Sequence, residues 1–453
     1  MNRNTSIAMA VASILGTLTG GANAATPPTV AQAAGAAKVL YVAGSSAAKK
    51  AVLGALQTDL CGGLANALNI TSSPNTNFGA VSCAPASGTA GANGTEFFTV
   101  YYRFEGGSVT GVLPIANNDA VEQLDLTKTT FITCADANDC VATVTGTSAS
   151  NGTTDTFGGA VSTHAVQLGI SDVEPAALTG NNYPTPYSTT AWGKVNPSGV
   201  STVTSTPLFD EVYGIYVNNA SSSPTLPSTL SLSTPMLQNI LTKQVTDWSA
   251  VVDTNGAQVA SSSVPIIIVN RELGSGSRAA TDLLIAGDSC QSAGGSIKES
   301  TKTFTDYFAT GDVLTALSSQ AGGITYATID NAAPANSILI SIDGVAPSNI
   351  AAAGGKYNFW VEAVYTTNPN ASGDAGLTSY FTGELQKLAT APHVPDILAN
   401  PTVGGNTAHV AVASNGNTTT GSLTGLGSST IYVNPFSRGK ATCNIPLQIA
   451  SVP

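Results

Sequence analysis

Arginine, serine and glycine meet in the stretch Val269-Asn270-Arg271-Glu272-Leu273-Gly274-Ser275-Gly276-Ser277-Arg278, and those residue types suit the capture of a small oxyanion. The Arg271 guanidinium is a planar, permanently charged fork that can meet two oxygens at once. Ser275 and Ser277 offer hydroxyls that either cap a helix or donate outward. Gly274 and Gly276 permit a tight turn and a close approach of backbone to a guest. Upstream, Val264-Pro265-Ile266-Ile267-Ile268 predicts a buried strand, and Ala279 to Ile285 predicts a helix. A strand, turn and helix in that order leave the first helical N–H groups without intrahelical acceptors, at the positive end of the helix dipole. In a chain with 46 glycines such a turn is also a common plain connection, so companions elsewhere must decide.

Three companions stand out. Lys38 to Ala43 reads as a strand that runs through Gly44-Ser45-Ser46 into a helix from Ala47 to Leu56, which again puts hydroxyls at a helix N-terminus. Phe97 to Phe104 reads as a strand ending in Glu105-Gly106-Gly107-Ser108-Val109-Thr110-Gly111, where Ser108 is the candidate contact. Gln167-Leu168-Gly169-Ile170 ends in Ser171-Asp172. An ionised carboxylate is acceptor-only, so Asp172 would favour a ligand that still carries a hydrogen. It could equally cap the turn at Val173-Glu174-Pro175.

Taken in order, these segments resemble the periplasmic phosphate-binding proteins that serve phosphate ABC transporters. The central stretch is similar to that family's Arg-x-x-Gly-Ser-Gly-Thr motif. Gly44-Ser45-Ser46 resembles its opening glycine loop, although Ala47-Ala48 stand where it has an aromatic and a proline. Ser108 falls on its Gly-Ser-x-x-Gly segment and Asp172 on its Gly-Ala-Ser-Asp. Leu230-Ser231-Leu232-Ser233, the helix Thr234 to Leu241 and Trp248 resemble a passage that is structural, with Trp248 expected in a core. Gly322-Gly323-Ile324-Thr325-Tyr326 resembles a later strand. One departure touches the site: the acidic residue expected two places after the arginine is Leu273 here, with Glu272 beside it.

The resemblance implies an α/β, two-lobed type II binding-protein fold with a ligand cleft between the lobes. It implies that Ser45, Ser46, Ser108 and Asp172 from one lobe and Arg271, Ser275, Gly276 and Ser277 from the other hold inorganic phosphate or a similar tetrahedral oxyanion. No cofactor and no catalysis are implied; the expected partner is an ABC transporter permease, and the expected state is a monomer. The corresponding division is a signal peptide over 1–24, the first part of lobe I over 25–205, lobe II over 206–356, and a return to lobe I plus a C-terminal extension over 357–453.

Composition sets the outer bounds. With 453 residues the chain exceeds the ~250–300 residues at which single cores stop growing. A 42% hydrophobic content supports packed cores, and a net charge of -11 argues against nucleic acid or an anionic membrane as partner. Asn2-Arg3-Asn4, the apolar run Ile7 to Leu18 and Ala22-Asn23-Ala24 read as a secretory signal cleaved after Ala24, for a periplasmic or secreted protein. No later run is long and apolar enough to insert in a membrane. The six cysteines then suit disulfides. Cys61–Cys83 and Cys134–Cys140 are expected as local bonds, with Cys290–Cys443 as a long tie; their spacing and the scattered histidines His164, His393 and His409 do not suit a metal site.

Residues 61 to 95 read as a decorated loop, 180 to 205 as a linker, Phe131 to Val144 as a disulfide-linked hairpin, and Tyr357 to Tyr365 as a strand returning to the first lobe. Phe304 to Leu317 and Thr378 to Leu388 read as helices, and much of the tail from Pro401 to Pro453 has no counterpart in the family. Low charge (9%), extra loops and that tail keep a second reading open, a secreted surface or filament-forming protein that reuses the fold. A hydrolase is disfavoured, because no Gly-x-Ser-x-Gly elbow and no histidine partner set are present.

Overall fold

The computed structural model describes residues 26–54, 56–57, 61, 63–84, 96–105, 107–146, 157–178, 182, 203–287, 295–297, 307, 309–368, 378, 381–382, 436–439 and 441–448. The expected signal peptide, most of the 180–205 linker, most of the Thr378–Leu388 helix and most of the tail lie outside these residues.

The strands, in chain order, are β1 (Lys38–Gly44), β2 (Leu68–Pro74), β3 (Phe78–Cys83), β4 (Phe98–Arg103), β5 (Ala120–Leu124), β6 (Ile132–Cys134), β7 (Asp139–Thr145), β8 (Gly158–Gly159), β9 (Val161–Ala165) and β10 (Leu168–Ser171). They continue with β11 (Ser205–Asn218), β12 (Ser231–Leu232), β13 (Ile267–Ile268), β14 (Gly323–Thr328), β15 (Ser337–Leu339), β16 (Ser341–Ile342), β17 (Trp360–Thr367), β18 (Phe436–Ser437) and β19 (Leu447–Gln448). One large sheet runs in the order β13-β14-β11-β17-β10-β1-β4-β3-β2-β7-β6. The chain is thus mixed α/β, as expected, and its core falls into two main parts, the first and the second lobe.

The first lobe is built on β1, which pairs in parallel with β4 on one side and β10 on the other. Leu40, Val42, Val52, Val100, Tyr102, Leu168 and Ile170 close its core. The helix Lys49–Gly54 lies within the span expected for it. In the second lobe Ile215, Val217, Leu237, Ile240, Trp248, Ile268, Ile324 and Tyr326 pack together, joined by Val109, Val112, Leu113 and Val173 from the first. Trp248 is fully buried, as expected, and its Nε1 donates to Gly322 O at 2.9 Å.

The lobes are joined where β11 changes partners. Residues Ser205 to Val212 run antiparallel to β17, and Tyr213 to Val217 run antiparallel to β14. The strand β17 also pairs antiparallel with β10, so it lies between β11 and β10 in the sheet. Near the end of the chain, Arg438 is buried over the Trp360 ring at 4.7 Å and donates to Trp360 O at 3.1 Å. Thr442 N donates to Glu174 Oε1 at 2.8 Å, so this segment touches both β17 and the loop that follows β10.

Four local expectations need correction. Within the span 61–95, the described residues of β2 and β3 are not a loop: they form an antiparallel pair inside the large sheet, between β7 and β4. Every residue of β3 is buried, although Gly79, Ala80 and Ser82 are weak strand formers; neighbouring strands override propensity there, and a Cβ on Gly79 would meet the Tyr102 ring at 2.1 Å. The strand expected over Val264–Ile268 shrinks to Ile267–Ile268, because Val264 O and Ile266 N bond instead to Trp248 N (2.8 Å) and Thr246 O (2.9 Å). The following helix starts earlier, at Gly276, and passes from α-helix over Gly276–Thr281 into a π-turn over Asp282–Ala286. The helix expected from Phe304 begins instead at Thr310 and ends at Ser319.

Both local disulfides are present, Cys61–Cys83 and Cys134–Cys140. Cys443 is disulfide-bonded as well, while Cys290, its expected partner, lies outside the described residues.

Candidate functional site

The four loops singled out in the sequence converge at the junction of the lobes. The carboxyl ends of β1, β4 and β10 bring Ser45, Ser108 and Asp172 side by side. Gly44 ends β1 with φ 145°, and a Cβ there would lie 1.9 Å from Ile170 O, so this close approach of β1 to β10 requires glycine. Ser45 N donates to Ile170 O at 3.0 Å. The Ser108 hydroxyl accepts from Asp172 N at 3.0 Å, and both residues are almost fully buried. The Asp172 carboxyl lies within hydrogen-bonding reach of the Ser45, Ser108 and Tyr213 hydroxyls and feels the charge of Arg271. Ser46 Oγ is buried with no hydrogen-bond partner among the described residues.

The second lobe supplies the central stretch. The turn preceding the helix at Gly276 is capped by Ser275, whose Oγ accepts from Arg278 N at 3.3 Å. Across the junction Val109 N donates to Gly274 O at 2.9 Å. A Cβ added to Gly276 would lie 2.2 Å from Ser108 Oγ and 2.6 Å from Asp172 Oδ2. The start of this helix therefore faces the serine and carboxylate of the other lobe with no side chain between them. Of the expected site residues, Ser45, Ser108, Asp172, Arg271, Ser275, Gly276 and Ser277 occupy one buried neighbourhood, while among the described residues no hydrogen bond ties the Ser46 hydroxyl to it.

With Leu273 in the place of the expected acidic residue, neutral oxygens supply part of the hold on Arg271. Its Nε donates to Tyr307 O at 3.0 Å, and its Nη1 donates to Thr310 Oγ1 at 3.1 Å and Ser277 Oγ at 3.4 Å. Arg278 Nη1 donates to Arg271 O at 2.8 Å and fixes the backbone beneath it. These contacts fix the direction in which the guanidinium points.

Sequence reasoning missed Glu211 and Tyr213 on β11. Both are buried where β11 crosses between lobes, and Tyr213 Oη donates to Glu211 Oε2 at 2.9 Å. The one signal the sequence holds is the acidic pair Asp210-Glu211 at the head of the apolar run Val212 to Val217. Burial pushes the Asp172 carboxyl above its ordinary range, against the lowering effect of Ser45, Arg271, Ser108 and Tyr213. Glu211 is pushed up further by burial and then by the Asp172 charge. Tyr213 is raised by burial and by both carboxyls, so it stays a donor at neutral pH.

Among the described residues no group of three or more His, Cys, Asp and Glu could hold a metal ion. No helix among them is long and apolar enough to cross a membrane.

No curated protein matches the chain. Among solved structures it is similar to a candidate phosphate ABC transporter substrate-binding protein from Clostridium perfringens with bound phosphate, at 11% identity and a TM-score of 0.44 over 80% of this chain and 96% of that one. It is similar to a phosphate-binding protein from Stenotrophomonas maltophilia at 12% identity and a TM-score of 0.40, covering 77% and 84%. A third likeness is to an ABC-type phosphate transport receptor from Vibrio cholerae, at 15% identity and a TM-score of 0.34, covering 52% and 78%. A family model described as a PBP superfamily domain matches residues 195–384. That span contains β11, the Arg271 turn, the helix at Gly276 and β17, the part that builds the second wall of the site.

Proposed function

We propose that the chain is an exported solute-binding protein that captures inorganic phosphate, or a similar tetrahedral oxyanion, between its lobes and passes it to an ABC transporter permease. The observation that carries this reading is the approach of Ser108 and Asp172 from one lobe to Gly276 of the other, with Arg271 alongside. A tetrahedral anion has oxygens pointing in four directions, and this neighbourhood offers donors from several. The Ser45, Ser108, Ser275 and Ser277 hydroxyls, backbone N–H groups of the Gly276 helix and the Arg271 fork would serve ionised oxygens. Asp172 would take the hydrogen of a protonated oxygen, a distinction sulfate cannot satisfy when fully ionised.

Lobe I is taken as 25–205 with the return from 357 onward, and lobe II as 206–356. Capture would be a hinge motion about the crossing strands β11 and β17. In this reading the protein binds and releases its cargo unchanged, as a monomer, without a cofactor.

Calorimetry on the purified mature chain tests this. Phosphate is expected to bind with saturable heat at one site and sulfate to bind far more weakly. Absence of heat with phosphate removes the proposal, and equal affinity for sulfate removes the role assigned to Asp172.

A further inference from the structure

The Asp172 and Glu211 carboxyls lie within hydrogen-bonding reach of each other. Each holds one buried oxygen, Asp172 Oδ1 and Glu211 Oε1, that receives no donor among the described residues. Two ionised carboxylates only accept, so a pair in contact out of water needs a proton between them. The cluster around them cannot supply that proton as a lasting charge. Tyr213 donates its single hydrogen to Glu211 Oε2, and Asp330, near the end of β14, adds a further negative field. The positive charge nearby is Arg271, with Arg278 bound beneath it. On the opposite face of β11, Asp210, Glu362 and Glu174 surround Arg438 and form a separate group.

We propose that Glu211 is a specificity-determining residue of the anion site, holding the proton that it shares with Asp172 so that the pair carries one negative charge rather than two. Resting on the phosphate reading above, this makes capture depend on protonation. With the proton in place, Asp172 and Arg271 balance, and an incoming anion meets a neutral cluster lined with donors. When the proton leaves, a second buried negative charge faces the guest and repels it. Glu211 never touches the cargo in this account; it acts through Asp172.

The sign follows from burial. Both carboxyls are raised, Glu211 the more, so the proton is retained at pH values where exposed carboxylates have lost theirs. Affinity should therefore be full at mildly acidic pH and fall as pH rises through the pair's titration. Glu211→Gln puts a permanent N–H donor against Asp172 and removes the titration.

The test is phosphate calorimetry from pH 5 to 9 on the wild type and Glu211→Gln, with infrared spectroscopy of the wild type alone. The expected result is that the wild type loses about ten-fold or more of its affinity relative to the variant across the alkaline half, since one decade is ~1.4 kcal/mol. Phosphate's own titration is common to both and cancels in the comparison. The infrared spectrum should show a protonated carboxyl persisting at neutral pH. Parallel pH profiles for the two proteins overturn the proposal while leaving phosphate capture intact; absence of phosphate binding in the wild type overturns the reading beneath it. If the variant does not fold, an infrared spectrum without a protonated carboxyl at neutral pH still overturns it.

Discussion

Gly276→Ala gives a sharp perturbation of the junction. On the isolated helix alanine is the better residue by up to about 1 kcal/mol. At this junction the new Cβ would lie 2.2 Å from Ser108 Oγ and 2.7 Å from Asp172 Cβ, more than half an ångström inside ordinary contact at ~3.5 Å. Neither neighbour can swing aside freely. Ser108 Oγ is held by Asp172 N at 3.0 Å, and the Asp172 Cβ moves only with its backbone. The lobes must part, and overpacking of this kind costs about 1–3 kcal/mol. Because the open form can hold the methyl group without strain, the cost falls on closure rather than on folding. Phosphate affinity should drop by roughly 5- to 150-fold, with the melting temperature of the ligand-free protein little changed. Calorimetry and a thermal melt, each with and without phosphate, separate the two effects. Affinity within two-fold of the wild type would refute the close approach of Gly276 to Ser108 and Asp172.

Other outcomes follow from the same geometry. Trp248→Ala empties a fully buried site and removes a donor to Gly322 O; a loss of about 3–5 kcal/mol is expected in chemical denaturation. Replacing Cys61 and Cys83 by serine releases a bond spanning 22 residues and should lower stability by about 3 kcal/mol, read by the same method. The raised Asp172 and Glu211 carboxyls bind protons more tightly folded than unfolded. Their contribution to stability is full below the unfolded carboxylate range and is lost as pH rises through their raised folded values. Thermal melts of the ligand-free wild type should show that decline, and Glu211→Gln should flatten it; identical slopes would contradict the buried pair.

Much of this was legible in residue order. The serines, Asp172 and Arg271 sit at ends of segments whose strand and helix patterns are local, so their types and positions could be read without tertiary information. Trp248 and the two short-range disulfides were visible for the same reason. What escaped depends on neighbours far along the chain. Gly79, Ala80 and Ser82 look like loop residues and become strand because β2 and β4 flank them and Tyr102 covers Gly79. Glu211 and Tyr213 reach the site because β11 passes from β17 to β14 at that point, a change of partner that no periodicity reports. Two of the contacts that hold Arg271, at Tyr307 and Thr310, lie some forty positions away.

The central claim is that distant loops build one anion site, and parallel phosphate titrations of Ser108→Ala, Asp172→Asn and Arg271→Ala test it most directly. Each changes a different loop, and each is expected to weaken phosphate by ten-fold or more, about 1.4 kcal/mol per decade, in proteins that melt as cooperatively as the wild type. If all three bind phosphate as the wild type does, the cargo sits elsewhere and the account is wrong.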